Sequence, residues 1–290
     1  MIQPSPILVT GISGLIGWHV FQKAQALGQT LGTYNENIRT IPLGGVSRLN
    51  ICDAQAVDQL ISRLKPQIIF HCDAICALNH CERAPDRAFE VNVQGTKNII
   101  QAADQLGIRV IVLSSDLVFD GLSPPFDEND SCRPLHVFGE TKARAEELVL
   151  QSKGNHAILR PGLTFGSSLQ GNKGPSDWML SRLFMGRPVS LHTDEFRTPI
   201  EASLLAEGFV QLGLTQNTGV FHFAGKDRMN RFELGSILIG KRGLSPQILQ
   251  KKSRLEAIPK RPPDVSLRCS RWLETMGAIP TFKESLARFT

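Results

Sequence analysis

The sequence predicts an α/β fold: a doubly wound parallel sheet with a smaller C-terminal lobe. Three observations carry this. Short apolar runs at Ile7–Thr10, Ile68–His71 and residues 109–115 are separated by helix-length stretches, the rhythm of βαβ units. The run RVIVLSS at 109–115 is almost continuously apolar, as expected of a strand covered on both faces. The first run also flows directly into GISGLIG at 11–17, a glycine-rich turn between a strand and a helix.

That turn comes first. Gly11, Gly14 and Gly17 permit a tight bend and close backbone approach to a pyrophosphate, with Ser13, Leu15 and Ile16 completing the loop. A helix over 18–27 then presents free N–H groups and the positive end of its dipole. The spacing is G-x-x-G-x-x-G, and its place right after an N-terminal strand makes it a Rossmann-type dinucleotide loop. Thr30–Tyr34 reads as the second strand, whose end meets the adenosine ribose. An acidic residue there would bond the 2′-hydroxyl of NAD. The chain has Tyr34 and Asn35 instead, then Glu36, with Arg39 and Arg48 nearby. This favours NADP(H) over NAD(H). Asn50 and Ile51 are counted with the cofactor contacts, and Asp53 is the N-cap of a helix running to about Leu64. Lys65-Pro66 ends it.

After the third strand, Ile68–His71, come Cys72, Asp73 and Ala74, where the adenine-side ribose passes. A long helix over 84–106 carries Asn92. The strand over 109–115 delivers Ser114, Ser115 and Asp116 at its C-terminal end, where open α/β sheets bind ligands. A Pro- and acid-rich loop leads to a helix over 138–151, on which Phe138 and Lys142 are four residues apart and share a face. A strand over 156–160 ends in Pro161, Gly162 and Leu163. Past 165 the rhythm breaks. GNKGP at 171–175 reads as a mobile loop, and 178–185 as a short helix. Arg197-Thr-Pro199 precedes a helix over 200–212. Gly219–Phe223 returns to strand and 230–241 to helix, and the last fifty residues end in two short helices. The expected division is a dinucleotide-binding core at 1–162, completed by about 217–240, with 163–216 and 241–290 forming a substrate lobe.

The 290 residues, 41% hydrophobic, suffice for one large core. No apolar run is long enough for a membrane helix, and the opening MIQPSPILVTG lacks the basic and apolar regions of a secretory signal. A cytoplasmic protein with six reduced cysteines is the expectation. Cys76, His80 and Cys81 lie close in sequence, but no second ligand pair completes a zinc site, so no metal is assigned. The net charge of +5 is local. Residues 241–271 hold nine basic side chains against Glu256 and Asp264, leaving the remainder at −2. No nucleic-acid motif accompanies that segment. A phosphate-bearing small substrate, or a solvated surface, explains it equally well.

Taken together, TGISGLIG (10–17), NVQGT (92–96), SSDLVFDG (114–121), PLHVFGETK (134–142), LRPG (159–162) and RPPD (261–264) resemble the extended short-chain dehydrogenase/reductases. The closest group is the dTDP-4-dehydrorhamnose reductase family, with its relative, the regulatory β subunit of methionine adenosyltransferase. The resemblance spans nearly the whole chain. It implies a Tyr-x-x-x-Lys site in which the Tyr gives a proton to a substrate carbonyl and the Lys binds the nicotinamide ribose. It makes Ser115 the carbonyl-polarising group and Lys142 the ribose ligand, and places Pro161, Gly162 and Leu163 along the nicotinamide. Ser115, Asp116, Phe138, Arg197 and Arg261 are then the substrate contacts.

The sequence departs from the pattern where it matters most. Phe138 stands in the Tyr position, and the one Tyr in the chain is Tyr34, on the adenosine side. A phenyl ring has no proton to give, and general acid catalysis contributes about 10²–10⁴-fold. His136 and Asp116 are the alternative acids. Each has a plainer reading: His136 as a loop side chain capping the helix, Asp116 as an anchor. Three functions stay open. One is an NAD(P)-dependent oxidoreductase acting on a carbonyl of a nucleotide-sugar-like molecule. The second is a silent NADP(H)-binding regulatory or scaffold subunit, with a homodimer or a partner protein. The third is a lyase, cyclase or isomerase using the same pocket.

Overall fold

The computed structural model describes residues 6–36 and 44–289. In chain order the strands are β1 (Ile7–Thr10), β2 (Thr30–Tyr34), β3 (Val46–Arg48), β4 (Ile68–His71), β5 (Arg109–Leu113), β6 (Ala157–Pro161) and β7 (Thr164–Phe165). They continue with β8 (Val189–His192), β9 (Phe196–Arg197), β10 (Ile200–Glu201), β11 (Gly219–Phe223), β12 (Met229–Asn230) and β13 (Leu249–Lys252). The helices are α1 (Leu15–Gln25), α2 (Ala54–Leu64), α3 (Leu78–Arg83), α4 (Pro85–Phe89), α5 (Thr96–Leu106) and α6 (Val137–Gln151). After them come α7 (Gly174–Phe184), α8 (Ala202–Gly213), α9 (Arg231–Lys241), α10 (Ser270–Thr275) and α11 (Phe282–Arg288).

Seven strands form one parallel sheet in the order β3-β2-β1-β4-β5-β6-β11. Strand order reverses between β1 and β4, which pair with Val9 opposite Phe70 and Thr10 opposite His71. A crevice opens at the carboxyl ends of strands at such a reversal. Alternation along each strand feeds two cores. Ile7 and Val9 face one core with Val20 and Phe21 of α1 and Phe209 of α8. Leu8 faces the other with Val57 and Ile61 of α2 and Ile99 of α5. Three two-stranded sheets (β10 with β7, β12 with β9, β13 with β8) stand apart from the main sheet. A third core, including Phe165, Met179, Leu191, Leu238 and Phe289, supports that region.

Local chemistry sets the boundaries. Asp53 caps α2 by accepting from Ala56 N–H at 3.0 Å, and Lys65 ends it in a left-handed conformation (φ 45°). The helix expected over 84–106 is present as α4 and α5 joined by a π-helical turn, Glu90–Gly95. Three boundaries and one element differ from expectation. The first helix begins at Leu15 rather than 18, because Gly14 is already its N-cap. The strand from Arg109 stops at Leu113, and Ser115 instead caps a short 3₁₀ turn, Asp116–Val118. α7 begins inside the segment expected to be a mobile loop. The three-residue β3 was not anticipated. It is too short to show periodicity and is held by pairing with β2.

Candidate active site

The crevice starts from a buried polar chain. Thr10 Oγ1 accepts from the backbone N–H of Cys72 at 3.2 Å, so its proton goes to His71 Nδ1, 2.7 Å away. His71 Nε2 then donates to Thr96 Oγ1 at 3.1 Å, which donates to the Asn92 carbonyl at 2.7 Å. Burial, with help from the Lys142 charge, holds the His71 imidazole at about 3. It is therefore a neutral tie between strands, not an acid. Asn92, expected among the cofactor contacts, is spent on the same framework. Its side chain bonds Ile75 N–H (2.8 Å) and the Ile75 carbonyl (3.0 Å), and donates to Thr141 Oγ1 on α6 at 2.9 Å.

The glycine loop is as tight as the sequence requires. Gly11 has φ +74°, and a Cβ there would lie 2.6 Å from the Asp73 backbone. A Cβ on Gly17 would collide with the Gly11 carbonyl oxygen. α1 has no side-chain N-cap bond and no acid in its first turn, so its N–H groups remain available to an anion. Asp73 is the discordant neighbour. Burial pushes its carboxyl up to about 6, against the pull of Lys142.

At the end of β5, Ser114 Oγ donates to Glu146, which is clamped by Arg160. Ser115 Oγ accepts from Leu117 N–H at 3.1 Å and donates to Asp116 Oδ1 at 3.2 Å. Asp116 is gripped by Arg197 through two donors, Nε at 2.7 Å and Nη2 at 2.5 Å. Burial raises its pKa while the guanidinium opposes the rise. With both oxygens committed, Asp116 is an anchor for Arg197 and not a free acid.

His136 caps α6: its Nδ1 accepts from Gly139 N–H at 3.2 Å. Burial lowers its pKa, Nε2 has no partner, and it lines neither of the cavities described below. His136 thus takes the plainer of its two readings, a helix cap, and does not face either cavity. Phe138 and Lys142, one turn apart on α6, do reach the site. Lys142 is 4% exposed, and burial drives its ammonium below the usual range. Among the described residues it has no hydrogen-bond or ion-pair partner. A buried cation without a protein partner costs several kcal/mol, a cost that a bound polar group would relieve.

These groups enclose a cavity of about 330 Å³. The glycine loop brings Gly11, Ser13, Gly14, Leu15, Ile16 and Gly17 to one wall. Cys72, Asp73 and Ala74 come from the end of β4, and Ser114, Ser115 and Asp116 from the end of β5. Phe138 and Lys142 of α6, then Pro161, Gly162, Leu163 and Arg197, close it. Sequence reasoning missed Cys76, Thr164 and the stretch Lys173, Gly174 and Pro175. Of the other expected cofactor contacts, Asn50 bonds Cys52 N–H, Ile51 is buried in the second core, and Asn35 accepts from Arg48. Tyr34 packs against the first core. None of these four lines the cavity, and Arg39 lies outside the described residues.

A second cavity, about 900 Å³, adjoins the first across Cys76, Leu163 and Arg197. Arg182, Arg231, Lys252 and Arg261 line it against Glu195 and Glu256. Burial would raise the Glu195 carboxyl. The His192 bond and the surrounding arginines outweigh this and hold it at about 2. The guanidinium groups of Arg231 and Arg261 have no hydrogen-bond partner among the described residues, and Arg261 Nε is buried. This chamber suits an anion, and it is where Arg261 lies instead of in the smaller cavity. Its lining spans residues 76 to 261, so no local pattern announced it.

The chain is similar in sequence and fold to known proteins. Methionine adenosyltransferase 2 subunit beta of Xenopus laevis is 30% identical over 287 residues, covering 93% of this chain and 82% of that one. A hypothetical dTDP-4-dehydrorhamnose reductase from Sulfolobus tokodaii superposes with TM-score 0.81 at 25% identity, over 94% of this chain and 95% of that one. The dTDP-4-dehydrorhamnose reductase of Bacillus anthracis str. Ames, in complex with NADP, superposes with TM-score 0.86 at 21% identity, over 99% and 98%. The model of the RmlD substrate binding domain matches residues 5–290. With that match over nearly its whole length, the chain belongs to the RmlD substrate-binding-domain family, that of the dTDP-4-dehydrorhamnose reductases.

Proposed function

We propose that this protein binds NADP(H) in preference to NAD(H), and acts as an oxidoreductase on a carbonyl of a nucleotide-sugar-like molecule in the cytosol. The observation that carries the proposal is Lys142, a buried ammonium without a protein partner that faces the glycine-loop cavity. A bound dinucleotide supplies hydride to the carbonyl carbon. The chain's own part is to hold and orient. The α1 N-terminus receives the pyrophosphate, Lys142 the nicotinamide ribose, and Ser115 the carbonyl oxygen once its hydroxyl turns from Asp116. Unpartnered Arg231 and Arg261 receive the substrate's phosphates in the larger cavity. Phe138 walls the site without supplying a proton, so the proton the alkoxide takes up comes from solvent water, and the hydroxide left behind is neutralised by buffer in bulk. The NADP complex of the Bacillus anthracis reductase, a protein of the same fold, supports the dinucleotide part of this reading.

A second reading is a silent NADP(H)-binding subunit of a larger assembly. It draws on Phe138 itself and on the family's subunit beta relatives. One series of measurements separates the two. NADPH and NADH binding are measured first, then NADPH consumption with a panel of 4-keto nucleotide sugars by wild type and Phe138→Tyr. Binding with turnover by wild type supports the oxidoreductase. Binding with turnover only in Phe138→Tyr sinks the redox claim for the natural protein and favours the subunit. No dinucleotide binding removes both.

A further inference from the structure

The floor of the small cavity is built by the sheet, and its roof comes from a distant part of the chain. Gly174 rests on the glycine loop itself: a Cβ there would lie 2.7 Å from Leu15 Cδ2. Two helices thus begin across one space, α1 at Leu15 and α7 at Gly174, and neither has a side-chain bond from its N-cap residue. The N-cap of α7 is Lys173. It lines the glycine-loop cavity and not the larger chamber beyond Arg197. Its charge reaches Cys76, where it opposes the upward push of burial on the thiol.

Lys173 is held in place by its backbone. Its N–H is shared between Asp177 Oδ2 and Ser168 Oγ, each at 3.1 Å. Asp177, itself buried, also accepts from Ser168 N–H at 3.1 Å, and Ser168 Oγ accepts from Asn172 N–H at 3.2 Å. The loop ahead of α7 is therefore fastened at its root. Its ammonium has no hydrogen-bond or ion-pair partner among the described residues. The same cavity is lined by a second unpartnered ammonium, Lys142, 4% exposed. The opposing charge on the glycine-loop side is Asp73.

We propose that Lys173 is a phosphate ligand of the bound dinucleotide, gripping the pyrophosphate from the segment that packs against the glycine loop. This rests on dinucleotide binding as proposed above, and adds to it a contact from outside the sheet. The glycine loop offers a pyrophosphate N–H groups and the end of a helix dipole, but no side-chain cation. Asp73 beside it works against an anion. Lys173 supplies the missing positive charge through a charge-assisted hydrogen bond. The ligand then joins α7 to α1.

The test is equilibrium binding of NADPH, followed by nicotinamide fluorescence, to wild type, Lys173→Gln and Lys173→Arg at low and high salt. Hydrogen bonds to charged groups carry roughly tenfold to a hundredfold in affinity. Lys173→Gln is expected to weaken NADPH at least about tenfold at low salt, with the gap narrowing at high salt as screening sets in. Lys173→Arg should stay near wild type. Wild-type affinity in Lys173→Gln overturns the assignment while leaving dinucleotide binding intact. Equal losses in both variants also overturn it, since packing rather than charge would then be at work. A wild type that binds no NADPH brings down dinucleotide binding and the assignment with it.

Discussion

Arg197 holds Asp116 through two separate donors, Nε to one carboxylate oxygen and Nη2 to the other, with both side chains almost wholly buried. Its third nitrogen reaches Glu195 at 3.4 Å. One guanidinium thus stands between two buried carboxylates. Removing it strands both. Arg197→Met should cost about 3–5 kcal/mol of folding stability, read from urea unfolding. Asp116→Leu combined with Arg197→Met should recover much of that loss. A single-variant cost under about 1 kcal/mol would mean the pair is solvated and the anchor role is wrong.

Lys142 should show the opposite sign. Burial disfavours its charged form, so the folded chain carries a cost at neutral pH that a ligand relieves. Lys142→Met should therefore raise the stability of the ligand-free protein, by about 1 kcal/mol, while reducing the melting shift that NADPH produces. Thermal melts with and without NADPH give both numbers. Lower ligand-free stability in the variant would show that the ammonium has a structural partner.

Acid should weaken the fold earlier than the carboxylates alone require. Burial holds His71 and His222 at about 3 and also lowers His136 and His156. The unfolded chain takes up these protons below about pH 6.5, and the folded chain does not. Stability is therefore complete above that pH and falls as pH drops from 6.5 toward 3. His71 and His222 each remove about 2 kcal/mol by pH 5. Glu195, held at about 2 rather than its ordinary 4.5, keeps its contribution down to about pH 4.5 and adds to the loss only below that, so it does not enter a comparison of pH 7.5 with pH 5. Urea midpoints at pH 7.5 and 5 test the slope, and His222→Gln should flatten it.

Asp73 gives a pH dependence of binding. Its carboxyl, pushed up by burial to about 6, is neutral at pH 5 and charged at pH 7. It lies against the glycine loop, so ionisation should repel a pyrophosphate. NADH, whose phosphates do not titrate in this range, should bind more tightly at pH 5 than at pH 7. Asp73→Ala should remove the difference and tighten binding at pH 7. A flat wild-type profile would place the carboxylate away from the ligand.

What could be read from sequence was what is written in consecutive residues. The glycine loop, the β5 end with Ser114 and Ser115, and the Phe138–Lys142 spacing each occupy one short stretch. Parallel topology then carries them to the same edge. Side chains whose roles depend on distant partners could not be read. Asn92 looked like a cofactor contact and is a strut between Ile75 and Thr141. His136 is the contrary case, because its role as a cap is local and was already its plainer reading. Arg231 and Arg261 are thirty residues apart in sequence, and what sets them in one chamber is the folding of separate strands and loops around it. Lys173 sat in a stretch that read as mobile and proved to be the start of a helix.

The π-helical turn at Glu90–Gly95 has a further consequence. One residue more than the α-helical spacing puts α4 and α5 out of phase by about 100°. Asn92 lies within that slip, aimed at Ile75 and Thr141. Deleting a single residue such as Gln94 would bring the two helices back into step and swing Asn92 off both partners. The loop that follows β4 would then be uncoupled from the helix bearing Lys142, although every residue of the cavity would still be present. Substitution at this point should therefore disturb the site less than a change of length.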